Sequence, residues 1–143
     1  MIPIPTPWTR ASRASCTVPE MDCARILVVE DDLMVGAVAA EALEDAGFVV
    51  LTAASAEEAE VILDQETVDV LFTDIDLGGR DGCDLAHRAL RTQPDLPVIL
   101  ASGRSRRCHS DRIPAGATFL AKPYGLPQMI REVHRAAQGR SAP

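Results

Sequence analysis

The stretch LFTDIDLGGRDG occupies residues 71–82 and passes abruptly from apolar to acidic and glycine-rich composition. With Val70 before it, its first part forms a short, continuous apolar run, which is typical of a strand buried on both faces of a sheet. Asp74 stands where this run ends, and Asp76 follows two residues later. We therefore expect a buried strand that brings a carboxylate to the edge of a sheet.

Similar apolar runs alternate with helical patterns on both sides of this stretch. Strands are predicted over residues 26–29, 48–51, 98–101 and 117–120, and helices over residues 33–46, 55–65, 84–91 and 126–137. The second helix begins with Ser55 and Glu58 in the spacing of a capping box. Continuous apolar strands that alternate with helices predict a parallel sheet covered on both faces. The expected fold is a flavodoxin-like, doubly wound α/β sandwich of five strands in the order 2-1-3-4-5.

The segment between Gly103 and Pro114 interrupts this alternation. Only Cys108 and Ile113 offer apolar side chains to a core, and Pro114 would end any helix that formed there. We therefore expect the fourth helix to be short, irregular or absent.

The length of 143 residues suits one domain with a single core. Residues 1–23 contain four prolines with serine and threonine and no sustained periodicity, so we expect a disordered extension. The folded domain is predicted over residues 24–138, followed by a tail over 139–143. Whether Met1 or Met21 starts the natural chain stays open.

Charge and hydropathy exclude several classes of function. The formal net charge is −7, and the chain has no run of Lys or Arg, which disfavours direct nucleic-acid binding. No apolar stretch approaches the roughly 20 residues that cross a bilayer. We find no apolar signal-peptide core near the N-terminus. A cytoplasmic protein without a nucleic-acid or membrane partner is expected.

Charged residues follow three of the predicted strands. Glu30, Asp31 and Asp32 follow the first strand, Asp74 ends the third, and Lys122 follows the fifth. Because ligands bind outside the carboxyl ends of parallel strands, these side chains are expected to converge. Several carboxylates this close together repel one another when ionised, so either some of their pKa values are raised or a cation lies among them. Because carboxylates are hard oxygen ligands, that cation is expected to be Mg²⁺. A carboxylate beside Mg²⁺ and a lysine can attack phosphorus to form an aspartyl phosphate.

Lys122 stands out because the chain has 14 basic residues and it is the one lysine among them. A compact ammonium with rotatable donors suits a phosphate oxygen in a tight pocket.

These residues resemble the receiver domain of two-component response regulators over about residues 25–137. The first-strand sequence ILVVEDD resembles the family's metal-binding motif, which implies that Glu30 and Asp31 hold Mg²⁺. The stretch LFTDIDLGGRDG resembles the phosphoacceptor strand and loop, which implies that Asp74 is the nucleophile and also a metal ligand. By the same resemblance, the backbone carbonyl of Asp76 is the third protein ligand of Mg²⁺.

The fifth-strand sequence FLAKPY resembles the family's Lys-Pro motif. The resemblance implies that Lys122 contacts the phosphate and that the peptide bond before Pro123 is cis. Phe119 then occupies the aromatic switch position. The three motifs occur in the family's order on alternating β/α spacing, which makes their combination specific.

The sequence LPVILASG departs from the family pattern. It places Ala101 where the family generally has a Thr or Ser that contacts the phosphate. Ser102 is adjacent, but neighbouring strand residues face opposite ways, so it is a substitute hydroxyl only if the strand end bends. We expect the coupling between phosphate and Phe119 to be altered.

The resemblance implies a phosphoacceptor that receives its phosphoryl group from a sensor histidine kinase or a phosphotransfer protein. It would signal by contact with a downstream protein, as a monomer or weak dimer. It would be no enzyme beyond catalysing its own phosphorylation and dephosphorylation.

Two alternative functions share some of these sequence features. The sequence FTDIDLGG also resembles the first motif of haloacid-dehalogenase-type phosphatases, but there the acidic pair follows the lysine, whereas here Glu30 and Asp31 precede Asp74. A receiver-like interaction module that is never phosphorylated is favoured by Ala101. The intact acidic residues and Lys122 argue against that module.

Overall fold

A computed structural model describes residues 24–141 of the chain, so the expected extension over residues 1–23 lies outside the described residues. The main sheet has five parallel strands: β1 (Arg25–Val29), β2 (Val49–Ala53), β3 (Val70–Asp74), β4 (Val98–Ser102) and β5 (Thr118–Ala121). Their spatial order is β2-β1-β3-β4-β5, which confirms the predicted fold class and strand order.

Within residues 24–141, four α-helices connect and flank these strands: α1 (Leu33–Asp45), α2 (Ala56–Gln65), α3 (Gly82–Thr92) and α4 (Leu126–Ser141). Side chains satisfy free amides at the first turns of three of them, as N-cap residues do. The carboxylate of Asp32 accepts hydrogen bonds at the start of α1, the hydroxyl of Ser55 at the start of α2, and the carboxylate of Asp81 at the start of α3.

Between β4 and β5, where the alternating pattern would place a helix, the chain forms only a single 3₁₀ turn, Arg106–His109. This confirms the prediction of a short or irregular element. The end of α4 differs from the prediction, because the helix continues to Ser141 through residues that were assigned to a tail. Ala137 and Gln138 have high helix propensity, and they carry the helix past the last apolar positions.

The side chains of the strands alternate between two apolar layers. Leu27, Leu71 and Leu100 pack on the face covered by α2 and α3. Ile26, Val70, Phe72 and Ile99 pack on the opposite face, against Leu43 of α1 and Met129 of α4. Both faces of the sheet are therefore buried, as its continuous apolar strands require. None of the helices within residues 24–141 is long and apolar enough to cross a bilayer.

Candidate functional site

Three carboxylates and one ammonium meet at the carboxyl edge of the sheet. Carboxylate oxygens of Glu30, Asp31 and Asp74 all lie within 4.8 Å of one another. The Lys122 Nζ is 3.1 Å from Asp74 Oδ2 and 3.3 Å from Glu30 Oε1. The structure thus brings together four side chains that are separated by up to 92 positions in the sequence. The parallel register of β1 and β3, in which Val29 pairs with Thr73, places the residues after β1 beside the end of β3.

Burial and mutual repulsion shift the pKa values of the ionisable groups in this cluster. Glu30 and Asp74 each expose only 8% of their surface, whereas Asp31 is exposed. Burial raises the pKa of Asp74; Lys122 opposes this shift, and the charges of Asp76 and Asp31 add to it. Burial and the nearby Asp74 likewise raise the pKa of Glu30. Burial disfavours the Lys122 ammonium, but the two buried carboxylates outweigh it and raise the pKa of Lys122.

A tight hairpin follows the end of β3. Asp76–Leu77 pairs antiparallel with Arg80–Asp81, and Gly78 between them has a φ of 79°, which glycine adopts without strain. A Cβ at Gly78 would lie 3.5 Å from Asp31 Oδ2, so this loop borders the carboxylate cluster. The side chain of Asp76 is exposed. Metal binding by its backbone carbonyl stays a prediction.

Gly82 is a site residue that the sequence interpretation missed. Its amide donates to the Ile75 carbonyl at 2.7 Å, and a Cβ at position 82 would lie 2.1 Å from the Asp74 carbonyl oxygen. The start of α3 therefore packs directly on the backbone of the predicted phosphoacceptor. The Asp-Gly pair that ends the hairpin was the available signal in the sequence.

Backbone hydrogen bonds join the end of β4 to the residue after Asp74 and to Lys122. The Ile75 amide donates to the Ala101 carbonyl and the Lys122 amide donates to the Ser102 carbonyl, both at 2.9 Å. The Lys122–Pro123 peptide bond is cis. Ala101 is buried on the face covered by α1 and α4, where it lines a small cavity beneath the carboxylates of Glu30 and Asp74.

The side chain of Ser102 lies in a different environment from that of Ala101. Ser102 is the last residue of β4 and pairs in register with Ala121. The Ser102 hydroxyl is buried, 3.0 Å from His109 Nε2, and it accepts a hydrogen bond from the Arg104 amide at 3.0 Å. A role for Ser102 as a substitute hydroxyl at the phosphate stays a prediction. The ring of Phe119 is half-buried, with its centroid 6.4 Å from that of His109.

An apolar groove of about 740 Å³ adjoins Lys122. One wall consists of α1 side chains, among which Met34 is 75% exposed, and the other includes Pro123, Tyr124 and Leu126. Exposed apolar side chains in one contiguous patch commonly mark an interaction surface. The helical pattern of α1 in the sequence did not predict this groove.

The doubly wound fold and the acidic cluster beside a lysine define a receiver-type domain. Residues 26–134 match the family model described as the response regulator receiver domain. The chain therefore belongs to the family of response regulator receiver domains.

Similar proteins are regulators. Regulatory protein VirG of Agrobacterium fabrum is 34% identical over 119 residues, which cover 80% of this chain and 46% of VirG. The chain thus spans less than half the length of this relative. The response regulator receiver protein CpdR of Brucella abortus is 33% identical over 114 residues, which cover 78% of this chain and 94% of CpdR.

Solved structures share the fold. A response regulator receiver protein from Sinorhizobium medicae superposes with a TM-score of 0.79 at 25% identity, covering 85% of this chain and all of that one. A receiver domain protein described as CheY-like, from Methanospirillum hungatei, gives a TM-score of 0.75 over 82% of this chain and 96% of its own, and at 24% identity it supports the fold alone.

Proposed function

We propose that the chain is cytoplasmic, accepts a phosphoryl group on Asp74 from a sensor histidine kinase or phosphotransfer protein, and signals through contact with a downstream protein. The observation that carries this proposal is the position of Asp74, buried at a strand end with Lys122 Nζ 3.1 Å from its carboxylate. The relatives are regulators, and we propose no conversion of an external substrate.

The chemistry needs a nucleophile and compensating positive charge. An oxygen of Asp74 attacks the phosphorus of a phosphohistidine; the P–O bond forms as the N–P bond breaks, and the histidine nitrogen leaves with the electron pair of that bond. Negative charge spreads over the phosphoryl oxygens in the transition state. The Lys122 ammonium is already held between Asp74 and Glu30, so it stabilises that charge with little reorganisation.

The acidic cluster fits a magnesium ion. Three carboxylates supply hard oxygen donors within 4.8 Å of one another, and Mg²⁺ prefers such ligands while keeping several waters. A bound cation favours the ionised forms of Glu30 and Asp74, whose pKa values are raised by burial. We propose that Glu30, Asp31, Asp74 and the Asp76 carbonyl hold Mg²⁺. Its charge would neutralise phosphoryl oxygens that Lys122 does not reach.

The groove beside Lys122 supports a protein as the phosphoryl donor. Its α1 wall presents apolar side chains at helical spacing, which suits an amphipathic helix laid into a groove. A histidine on such a helix would approach Asp74 past Lys122.

Incubation with Mg²⁺ and acetyl phosphate, followed by intact mass measurement, tests the proposal. We expect the wild-type protein to gain the mass of one phosphoryl group, and Asp74→Asn to gain none. Asp64→Asn, an exposed acidic residue of α2, is the matched control and should be phosphorylated normally. A wild-type protein that gains no mass would favour the phosphorylation-independent interaction module. A gain that persists in Asp74→Asn would show that another residue is modified.

A further inference from the structure

A network of ion pairs joins α2 to the hairpin that follows β3. The Arg80 guanidinium, in the second strand of this hairpin, donates two hydrogen bonds to the Glu60 carboxylate, from Nη1 to Oε1 at 3.1 Å and from Nη2 to Oε2 at 2.7 Å. Arg80 Nη1 also lies 3.6 Å from Glu57 Oε2. We call Arg80, Glu57 and Glu60 the α2 tether.

The geometry of the α2 tether fixes the orientation of its groups. Two parallel hydrogen bonds from one guanidinium to one carboxylate restrict both planes at once. These bonds from Arg80 lower the pKa of Glu60, which is therefore ionised at neutral pH. The α2 end is firm, because the neighbouring Ala59 is fully buried in the core. The tether thus links one strand of the hairpin to a well-packed helix.

The hairpin itself is intrinsically weak. Each of its strands has two residues, and a two-stranded hairpin is at best marginally stable on its own. Gly78 and Gly79 connect the strands, and glycine loses more conformational entropy on ordering than any other residue. Leu77 anchors the hairpin to the core and Asp81 anchors it to the start of α3. The α2 tether adds the anchor at Arg80.

The same hairpin forms one wall of the acidic cluster. A Cβ at Gly78 would lie 3.5 Å from Asp31 Oδ2, and the charge of Asp76 contributes to the raised pKa of Asp74. In the proposed magnesium site, this wall supplies the Asp76 carbonyl. A wall that is already in position loses less entropy when an ion binds, so its anchors favour binding.

We propose that Arg80 and Glu60 are positioning residues that hold the hairpin in place for Mg²⁺ binding and thereby for phosphorylation of Asp74. This rests on the proposed function, because it concerns the same metal site. Arg80 has two effects on the ion, and they are opposite in sign. Its positive charge repels a cation, whereas its hold on the hairpin favours the bound geometry. Removal of Arg80 therefore distinguishes positioning, which predicts weaker binding, from a purely electrostatic role, which predicts tighter binding.

Calorimetric titration of the unphosphorylated protein with Mg²⁺ at constant ionic strength measures this sign. We expect Arg80→Met to raise the Kd of Mg²⁺ by about fivefold, within the range that measured ion pairs allow. Arg88→Met is the matched control, because Arg88 of α3 also contacts Glu60, with its Nε 3.0 Å from Oε2, but lies outside the hairpin. It removes the same charge and should not raise the Kd. An unchanged or lower Kd in Arg80→Met, or an equal rise in Arg88→Met, would overturn the proposal.

Amide hydrogen exchange in metal-free buffer gives a second readout that does not depend on the ion. The Gly79 amide donates to the Leu77 carbonyl at 2.9 Å and the Gly82 amide to the Ile75 carbonyl at 2.7 Å. Both amides should exchange faster in Arg80→Met than in the wild type or Arg88→Met. Normal exchange in Arg80→Met would contradict the tether.

Arg80→Lys keeps the charge but cannot form both parallel hydrogen bonds, so its Kd for Mg²⁺ should lie between those of the wild type and Arg80→Met. A Kd in Arg80→Lys as high as in Arg80→Met would show that the charge of residue 80 contributes nothing to holding the hairpin, against the tether. A wild type that neither binds Mg²⁺ nor is phosphorylated by acetyl phosphate would refute the proposed function itself. Normal phosphorylation and an unchanged Kd in Arg80→Met would refute only the role of the tether.

Discussion

Gly82 illustrates how a residue without a side chain determines the position of a reactive one. A Cβ at this position would lie 2.1 Å from the Asp74 carbonyl oxygen, closer than any van der Waals contact allows. In Gly82→Ala either β3 or the start of α3 must therefore move. We expect a loss of about 1–3 kcal/mol of unfolding free energy, as in other overpacked sites. The rate at which Asp74 is phosphorylated should also be lower in Gly82→Ala than in the wild type.

Gly79→Ala is the control for this substitution. Gly79 lies in the same loop, is exposed, and has no atom within 4 Å of an added Cβ. Chemical denaturation and phosphorylation rates should both match the wild type. Equal stability losses in the two variants would show that the backbone contact at Gly82 is unimportant.

The buried carboxyl of Asp74 should make stability depend on pH in metal-free buffer. Its pKa is raised in the folded state, mainly by burial, so the folded protein holds this proton more tightly than the unfolded chain. The associated stability is fully present below the unfolded value of 3.8, and it is lost as the pH rises through the folded pKa. Glu30 adds a dependence of the same sign above 4.5.

We therefore expect Asp74→Asn to have a higher Tm than the wild type at neutral pH without metal, because it removes an ionised group that burial disfavours. It also removes one of the two carboxylate partners of Lys122, but burial, with the charges of Asp76 and Asp31, raises the pKa of Asp74 in spite of that ion pair. The difference should shrink as the pH falls below the folded pKa. Thermal denaturation at a series of pH values measures both effects. A lower Tm for Asp74→Asn at neutral pH would contradict this account.

At the scale of elements, the capping box of α2 provides a testable source of local stability. The Ser55 hydroxyl accepts a hydrogen bond from the Glu58 amide at 3.1 Å, and the Glu58 carboxylate accepts one from the Ala54 amide at 2.9 Å. Ser55→Ala should lower the free energy of unfolding by about 1 kcal/mol. Ser105→Ala is the matched control, since Ser105 precedes the 3₁₀ turn without a capping hydrogen bond. Equal losses in the two variants, by urea denaturation, would show that the capping bonds contribute nothing.

The regular elements were predictable because each depends on a local pattern. Continuous apolar runs predicted the five strands, and the apolar-poor stretch before Pro114 predicted that the helix between β4 and β5 would be short, irregular or absent. His109 escaped prediction, because a histidine among exposed arginines looks like a surface residue. Its burial depends on Ser102 and Phe119, which lie on two separate strands.

The candidate site was predictable to the extent that it follows the rule that ligands bind outside the carboxyl ends of parallel strands. That rule predicted the convergence of Glu30, Asp31, Asp74 and Lys122, although no local pattern links them. It could not determine the side-chain environment at the end of β4. That strand is one residue longer than predicted and includes Ser102, whose side chain therefore lies on the sheet face opposite to that of Ala101.

At the scale of the whole molecule, the acidic site joins β1, β3 and the chain after β5, so a ligand there should stabilise the entire fold. Ligands that bind only the folded state raise its stability by about 2.7 kcal/mol at about 100 times their Kd. We expect Mg²⁺ to raise the Tm of the wild type at neutral pH, where it relieves repulsion among buried carboxylates. The gain should exceed any effect of the same ionic strength of NaCl.

The identity of the ligands determines which variants lose the magnesium response. Asp31 is exposed and contributes an oxygen to the cluster, so Asp31→Asn should fold normally and lose most of the Tm increase. Asp64→Asn removes the same charge from the surface of α2 and should keep the full increase. If both variants respond like the wild type, Mg²⁺ stabilises the protein by general screening of its net charge of −7 and no specific site exists. A loss confined to Asp31→Asn would instead support a magnesium site at the carboxyl edge of the sheet.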